Sequence, residues 1–328
     1  VGPEVERVER RRRDRAAGGL AAWAMFNWRK YQLVVLGILI YFAPLSIVSN
    51  VFFSVGTNMS ERFLFMPSLG WSLAVVALVV ALSRKFGQAI FWFLPVVTLL
   101  FSGLTLARNP VWKDNFTLFT TDVQQQPNSA KLLNAAGGAR VDRYQSLTTS
   151  AQTGQQQLLL DARKDLSRAI EIHPTYRNAY LLRGNAQLLL EEYDQAIADY
   201  DQAIDMSNDG YPAARDNLVI ALTAAGRDAG EVRGDLNGAF RYLLRAEQLA
   251  PNNYETLRLL GVASGVSGQT AQALGYFERA TKAKPNDADA HWNYAIALYN
   301  AGQQEAAEVE FQKAERLKPG IRKERAGR

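Results

Sequence analysis

A spacing of 34 residues, repeated through the C-terminal half of the chain, constrains the fold more than any other feature of the sequence. The spacing is carried by prolines, by two rows of alanines and by one row of large apolar residues: Pro251, Pro285 and Pro319; Ala239, Ala273 and Ala307; Ala246, Ala280 and Ala314; Leu243, Phe277 and Phe311. Repeats of this length are stacked pairs of helices, because one pair cannot bury its apolar face alone. The spacing therefore predicts an all-α array.

This pattern is the signature of the tetratricopeptide repeat (TPR). Small alanines let the two helices of a hairpin approach closely, and proline ends the second helix because it cannot continue the hydrogen-bond ladder. About five hairpins are predicted within an array at residues 128–319: 128–174 with an insertion near 144–156, 177–208, 211–251, 254–285 and 288–319. Ala196 and Ala239 are 43 residues apart, so the third hairpin has nine extra residues, which we expect within 226–234. A linker with a half-repeat helix, 108–127, precedes the array, and a basic tail, 320–328, follows it.

Stacked hairpins form a superhelix with a groove lined by the first helices. Counting along the repeat frame places a set of side chains on that groove: Asn178, Leu181, Asn185, Arg258, Trp292, Ile296, Tyr299 and Asn300. The alternative for each is ordinary packing between helices. Such surfaces commonly bind proteins or peptides, so we expect a protein or peptide partner. The lysine and asparagine clamp that holds a C-terminal carboxylate is not visible, because Leu181 occupies a place that should be basic.

The region 31–107 has only four charged residues, Glu61, Arg62, Arg84 and Lys85. Three apolar runs, at 31–48, 63–83 and 86–107, have about the 20 residues that cross a bilayer. Buried helices of a soluble protein are the alternative, but core helices of this length normally carry a polar stripe. The sequence therefore predicts a multi-pass membrane domain of three transmembrane helices that contacts membrane lipid.

Positive charges next to the spans set the orientation, because such segments remain in the cytoplasm. The segment 1–30 has net charge +4, and Arg84 and Lys85 lie between the second and third runs. These charges predict a cytoplasmic N-terminus and a TPR array on the outer side, which is the periplasm for the bacterial inner membrane that we favour. Residues 108–328 have net charge −1, so the excess positive charge of the chain lies in the segment 1–107. The repeat array is therefore not expected to bind nucleic acid.

Cysteine is absent from the chain, which excludes disulfides, cysteine nucleophiles and thiolate metal sites. The two histidines, His173 and His291, are 118 residues apart. We therefore assign no metal-binding residue and expect no bound cofactor in this chain; a metal site built from carboxylates alone stays an open alternative.

Short motifs around the spans point to one family. The residues read Pro44-Leu-Ser-Ile-Val-Ser-Asn50, Val55-Gly-Thr-Asn-Met-Ser-Glu-Arg-Phe-Leu-Phe-Met-Pro-Ser-Leu-Gly70 and Arg108-Asn-Pro-Val-Trp-Lys-Asp-Asn-Phe-Thr-Leu-Phe119. Together they resemble the transmembrane and TPR-containing protein O-mannosyltransferases and their bacterial relatives, with Phe65 where the family usually has tyrosine. By motif the resemblance covers about 44–131. Arg108, Asn109 and Trp112 carry its third part.

The resemblance implies transfer of a sugar from a polyprenyl phosphate to a hydroxyl on the outer side of the membrane. An arginine at the interface can hold a lipid phosphate through two parallel hydrogen bonds. Arg62, oriented by Glu61, is our candidate for that contact. The alternative is that Arg62 extends to the interface beside a surface glutamate.

The family's catalytic acid belongs to a first outer loop that this sequence does not contain. We therefore expect a fragment of a longer transferase, assign no catalytic residue and leave open whether the chain is part of an enzyme. The expected function is the C-terminal membrane and TPR portion of that transferase, with the groove holding an acceptor or partner protein. The alternative is a non-enzymatic, membrane-anchored TPR scaffold for envelope complexes.

Overall fold

The computed structural model describes residues 28–29, 31–48, 65–87, 91–152, 154–207 and 210–326. The chain divides into two compact units, Val1–Pro110 and Val111–Arg328. We call them the N-terminal unit and the repeat unit and describe each separately. Both are helical, and no strand occurs in the described ranges. The prediction of an all-α chain is confirmed for these residues.

The described part of the N-terminal unit contains three apolar helices, α1 (Gln32–Val48), α2 (Phe65–Phe86) and α3 (Phe93–Arg108). Each lies mainly within one of the three predicted spans, and α2 and α3 extend past the ends of theirs. Among the described residues, only the stretch Met66–Arg84 of α2 is both long and apolar enough to cross a membrane, and the apolar part of α1, Gln32–Pro44, is shorter. The structure thus provides one candidate span, and three spans stay a prediction.

Helices α1 and α2 pack backbone against backbone through two glycines. A Cβ atom built on Gly37 would lie 2.6 Å from the amide nitrogen of Ala74, and one on Gly70 would lie 2.4 Å from that of Tyr41. No side chain fits in either place. The same contacts show that the helices run antiparallel, because Gly37 faces Ala74 while Tyr41, one turn later, faces Gly70.

The repeat unit begins with α4 (Asn115–Gln125), after a short 3-10 helix at Asn109–Lys113. Five hairpins follow: α5 (Ala130–Gln145) with α7 (Gln156–Ile172), joined through the short α6 (Thr149–Gln152); α8 (Arg177–Leu189) with α9 (Tyr193–Asp205); α10 (Pro212–Arg227) with α11 (Leu236–Leu249); α12 (Tyr254–Val266) with α13 (Thr270–Ala283); and α14 (Ala288–Asn300) with α15 (Gln304–Leu317). Asp114, Ser129, Asp235, Asn253 and Asp287 cap the starts of α4, α5, α11, α12 and α14.

In the first four hairpins, one glycine of the first helix receives a large side chain from the second helix. The pairs are Gly137 with Leu166, Gly184 with Tyr200, Gly226 with Leu243 and Gly261 with Phe277, and a Cβ on any of these glycines would lie 2.5–2.8 Å from its partner. The partner side chains are buried in the cores of the hairpins. Removal of this apolar surface from water is the main stabilising contribution to each hairpin.

The extra residues of the third hairpin lie mainly before 226–234, which corrects the sequence prediction. Gly226 is 14 residues after the start of α10, whereas Gly184 and Gly261 are seven residues after the starts of α8 and α12. Most of the insertion therefore lengthens the front of α10 by two turns. Gly226 precedes Ala239 by 13 residues rather than 12, and that one residue is accommodated by a π-helix at Asp228–Val232.

The predicted basic tail contains a last helix, α16 (Ile321–Ala326). Ile321 is fully buried, and Glu315 of α15 accepts hydrogen bonds from the backbone N–H groups of Gly320 and Arg322. These bonds hold the pKa of the Glu315 carboxyl below its usual range. The helix covers the end of the array, where the last hairpin has no successor to pack against.

Candidate functional site

An exposed apolar patch lies on the first helices of the last two hairpins. Val262 and Val266 of α12 are 37% and 69% exposed, and Ile296 and Tyr299 of α14 are 40% and 59% exposed. A contiguous apolar surface of this kind marks an interaction site more often than isolated exposed side chains do. We call these four residues the groove patch.

Two cavities meet at the groove patch. One, of about 250 Å³, lies between α12, α13 and α14, and its wall includes Val266, Ile296 and Asn300. The other, of about 190 Å³, lies between the end of α10, α11 and α12, and its wall includes Leu236 and Leu259. Val262 and Val266 line both cavities, so they form a ridge between two adjacent apolar depressions.

Glycines one turn after the hairpin contacts leave these cavities open. A Cβ on Gly265 would have its nearest neighbour, the Cβ of Ala273, at 4.0 Å, and a Cβ on Gly230 would lie 3.4 Å from the Cβ of Ala239. Both distances are ordinary van der Waals contacts, unlike the clashes at Gly261 and Gly226. Gly265 and Gly230 are therefore not needed for helix packing, and their missing side chains provide room on the groove side.

The charged groups beside the second cavity neutralise one another. Glu255 accepts hydrogen bonds from both Arg258 (2.9 and 2.8 Å) and Arg227 (2.5 Å). The hydrogen bonds from Arg258 contribute most to a lowered pKa of the Glu255 carboxyl. Glu231 lies 4.0 Å from Arg258. A segment that fills the cavities therefore needs no charge of its own at this end.

Two asparagines provide polar groups at the first cavity. Asn293 and Asn300 line it together with the apolar residues. Within the described part of the chain neither amide side chain makes a hydrogen bond. Each amide offers both donors and an acceptor, which is the set that an extended polypeptide backbone can satisfy.

The structure separates the eight predicted groove residues into two groups. Those of the second hairpin already have internal partners. Asn178 donates to Asn134 (3.3 Å) and accepts from the Tyr211 hydroxyl (3.2 Å). Asn185 accepts from Tyr200 (2.9 Å) and Asn217 (2.8 Å). Leu181 is buried in the hydrophobic core, where it belongs to the packing between hairpins.

In the last two hairpins the predicted residues lie closer to the surface. Arg258 is engaged with Glu255, and Trp292 packs edge-on against Phe311 with ring centroids 4.8 Å apart. Ile296, Tyr299 and Asn300 are exposed. Sequence reasoning missed Val262 and Val266, although the repeat frame contains the signal: these residues precede Ile296 and Asn300 by 34 positions.

The other predicted site residues belong to the region before the repeats. Glu61 and Arg62 lie outside the described residues. Arg108 is the last residue of α3, Asn109 begins the following 3-10 helix, and Trp112 is exposed in it. Their roles stay predictions.

His291 is the one buried histidine of the described ranges. Its Nδ1 lies 2.5 Å from Glu310, and its Nε2 lies 2.9 Å from the carbonyl oxygen of Pro285, so it links α15 to the turn before α14. No group of three potential metal ligands occurs within the described residues.

Comparisons with known proteins agree with the repeat architecture. Residues 154–214 and 258–320 match the tetratricopeptide repeat family model. Together with the helical hairpins, this match confirms the predicted TPR superhelix. Among solved structures, YrrB, described as a TPR protein with an unusual peptide-binding site, is 20% identical, with a TM-score of 0.41 over 61% of this chain and 92% of that chain.

Curated relatives are named protein O-mannosyl-transferases. The chain is 34% identical over 113 residues to TMTC1 of Mus musculus, covering 33% of this chain and 12% of that protein. It is 30% identical over 148 residues to a protein O-mannosyl-transferase from Caenorhabditis elegans, F38B6.6, covering 45% of this chain and 19% of that protein. The chain is thus homologous to the TMTC protein O-mannosyl-transferases, and its matches span less than a fifth of their length.

Proposed function

We propose that this chain is the membrane and TPR portion of a protein glycosyltransferase that uses a polyprenyl-phosphate sugar, and that its groove patch holds an extended segment of an acceptor or partner protein. The observation that carries the binding proposal is the pair of apolar cavities that meet at Val262 and Val266. The names of the homologous proteins support the transferase proposal.

The cavities favour a polypeptide with two apolar anchors. Burial of one apolar side chain contributes about 1.5–3 kcal/mol relative to leaving it exposed, so two anchors give useful affinity without any charge. Asn293 and Asn300 would bind the backbone between or beside these anchors. Since Arg227, Arg258, Glu231 and Glu255 form their own cluster, we expect little dependence of the affinity on salt.

Placement in a membrane is the second part of the proposal. Helix α3 is apolar around its circumference and exposed along nearly its whole described length, which suits lipid or further helices better than water. With α1 and α2 it would complete three spans, with the N-terminus in the cytoplasm and the repeats on the outer side. Glu61 and Arg62 would then lie on the same side as the repeats, where they could hold a lipid phosphate.

The groove proposal is tested with the full chain in detergent and fluorescent peptides of about twelve residues. The peptides carry two leucines at varied spacing in a serine and glycine background, and binding is measured by fluorescence anisotropy. Gly265→Leu fills the first cavity and is expected to weaken binding about tenfold or more, the equivalent of one buried anchor. Gly275→Leu is the matched control, because a Cβ on Gly275 has nothing within 4 Å and this glycine lines neither cavity. Equal affinities for both variants, or no binding by any peptide, would refute the groove proposal.

The transferase proposal needs a separate assay. Membranes that contain the natural full-length protein are incubated with a labelled polyprenyl-phosphate sugar, and transfer to protein is measured for the unchanged protein and for Arg62→Ala. We expect transfer, and a large loss in the variant. Absence of transfer with several sugars, combined with intact peptide binding, would favour the anchored scaffold instead.

A further inference from the structure

A cleft between α1 and α2 joins two arginines to an apolar wall. It has a volume of about 540 Å³ and is lined by Arg29 and Arg84 at its polar end and by apolar side chains along its length. Arg29 lies just before α1, and Arg84 lies in the last turns of α2. We call it the arginine cleft.

The antiparallel packing of α1 and α2 explains why the two arginines meet. Gly37 contacts Ala74 and Tyr41 contacts Gly70, so each step back along α1 corresponds to a step forward along α2. Eight residues before Gly37 is Arg29, and ten residues after Ala74 is Arg84. The glycine contact therefore fixes a register that brings both guanidinium groups to one end of the helix pair.

The charge of the arginine cleft is not balanced by the described part of the chain. No described carboxylate pairs with Arg29 or Arg84. Within 31–107 the single acidic residue is Glu61, which comes before the start of α2. Arg84 is 19 residues further along that helix than Phe65, a distance of about 28 Å at 1.5 Å per residue. Two cations at one membrane interface, with no acidic neighbour among the described residues, favour an anionic ligand.

The apolar wall identifies the kind of anion. Leu33, Leu73, Val76 and Val80 line the cleft. Val76 and Val80 are one turn apart on α2, and both are exposed. A small soluble anion would contact the arginines alone and make no use of this wall. A molecule with a phosphate at one end and a hydrocarbon chain at the other would contact both parts.

We propose that the arginine cleft binds an anionic phospholipid, with its phosphate held by Arg29 and Arg84 and one acyl chain along Val76 and Val80. Guanidinium groups suit this role because each can donate two parallel hydrogen bonds to phosphate oxygens. The site rests on the proposed membrane placement. It lies at the end of α2 opposite to Arg62, so it is separate from the proposed site for the sugar donor.

Native mass spectrometry of the full chain, released from detergent micelles, tests the site. The probes are phosphatidylglycerol and phosphatidylcholine with identical acyl chains, each titrated alone and in the presence of inorganic phosphate. We expect the first phosphatidylglycerol to bind about tenfold or more tightly than the first phosphatidylcholine. The variant with both Arg29→Gln and Arg84→Gln should lose this preference, because it lacks both charge-assisted contacts.

Two further variants keep the test specific. The double variant Arg29→Lys and Arg84→Lys retains the charge without the forked geometry, and we expect it to keep only part of the preference. Lys113→Gln removes one positive charge outside the cleft and should bind lipid as the unchanged chain does. Unchanged circular dichroism of every variant excludes unfolding as the cause.

Three results would overturn the proposal. The first is equal affinity for the two lipids, and the second is an unchanged preference in the double glutamine variant. The third is full competition by inorganic phosphate, which would indicate a site for a soluble anion instead. Extraction of the chain from liposomes by alkaline carbonate would refute the membrane placement itself. A chain that stays inserted but shows no lipid preference would refute only this proposal. The peptide-binding assay is independent of both results.

Discussion

The two units of the chain place their apolar side chains in opposite ways. In the repeat unit large side chains such as Tyr200, Leu243 and Phe277 point into the hairpins, and the surface is mostly polar. In the N-terminal unit the helix contact is made by glycines, and large apolar side chains point outward; Leu99 of α3 is 73% exposed. Burial of apolar surface stabilises the first arrangement in water. The second needs a surrounding as apolar as itself, where close packing supplies the attraction between helices.

Both units use glycine for close approach, but what meets the glycine differs. In the N-terminal unit Gly37 and Gly70 contact backbone atoms of the opposite helix. In the repeat unit Gly184 and Gly261 contact the rings of Tyr200 and Phe277. A backbone cannot be shortened by substitution, whereas a ring can be replaced by a smaller side chain. The two kinds of contact should therefore respond differently to an added methyl group.

The largest effect is expected for Gly70→Ala, because its Cβ would lie 2.4 Å from the amide nitrogen of Tyr41. The helices must separate, and we expect a loss of about 3 kcal/mol in the stability of the α1–α2 pair. The chain has no cysteine, so cysteines introduced at the exposed residues Leu36 and Leu78 can carry a fluorescent donor and acceptor. Energy transfer is then followed during unfolding with sodium dodecyl sulfate.

Gly103→Ala in α3 is the control, because a Cβ there has nothing within 4 Å. Equal stabilities of the Gly70 and Gly103 variants would show that the backbone contact does not hold the pair together. The contrast between the two units would then be lost.

A smaller effect is expected for Gly261→Ala in the repeat unit, where the added Cβ would lie 2.8 Å from the Phe277 ring. We expect a loss of about 2 kcal/mol in the free energy of unfolding. Phe277→Leu should relieve part of this loss, because the shorter side chain leaves the contact. Urea unfolding of the single and double variants gives the coupling energy, and we expect at least about 0.5 kcal/mol. Strictly additive losses would contradict a direct contact.

The repeat frame explains why the fold could be predicted from the sequence. A glycine or alanine allows close approach of the two helices, a large apolar residue fills the contact, and a proline ends the second helix. Because these residues recur at a fixed spacing, a few matches determine the architecture. The same frame places Ile296, Tyr299 and Asn300 on one face of α14. These predictions depend only on local periodicity, which the sequence displays directly.

The existence of the insertion could be predicted from the sequence, but its position and the hydrogen bonds of the asparagines could not. A lengthened helix and a π-helix both leave the alanine and proline rows intact, so the rows do not reveal where the extra residues of the third hairpin lie. Asn178 accepts a hydrogen bond from Tyr211, in the turn before α10, and Asn185 accepts one from Asn217, in the lengthened start of α10. One hydrogen bond of each asparagine thus depends on the insertion, which the sequence analysis had placed at 226–234 instead.

The repeat unit also contains buried charged groups, and Glu310→Gln tests the contribution of one of them in the last hairpin. The Glu310 carboxylate faces Lys313 Nζ at 2.6 Å and His291 Nδ1 at 2.5 Å. Burial alone would raise the pKa of Glu310, but the hydrogen bonds from Lys313 and His291 together lower it below its usual range. Because the folded pKa is depressed, the carboxylate stabilises the fold above its unfolded pKa, and this contribution is lost as the pH falls through the folded pKa.

We therefore expect Glu310→Gln to cost about 1.5 kcal/mol at neutral pH, as for a hydrogen bond to a charged group. The difference from the unchanged chain should shrink in acid. Urea unfolding at several pH values measures it, with Glu305→Gln as an exposed control on the same helix. A difference that stays constant with pH would assign the loss to packing instead of charge.

The smallest expected effect has the opposite sign and comes from Gly265→Ala, one turn after Gly261 in the same helix. Its added Cβ would have the Cβ of Ala273 as nearest neighbour at 4.0 Å, so it meets no steric resistance. Replacement of a helical glycine by alanine then raises the stability by up to about 1 kcal/mol. The same methyl group narrows the cavity beside Val266, so peptide binding should weaken while the fold becomes more stable. Urea unfolding and fluorescence anisotropy on one preparation measure both changes, and their opposite directions exclude partial unfolding as the cause of weaker binding. A destabilised variant would instead mean that α12 is packed at Gly265 as tightly as at Gly261, and that the groove side of this helix has no room for a partner's side chain.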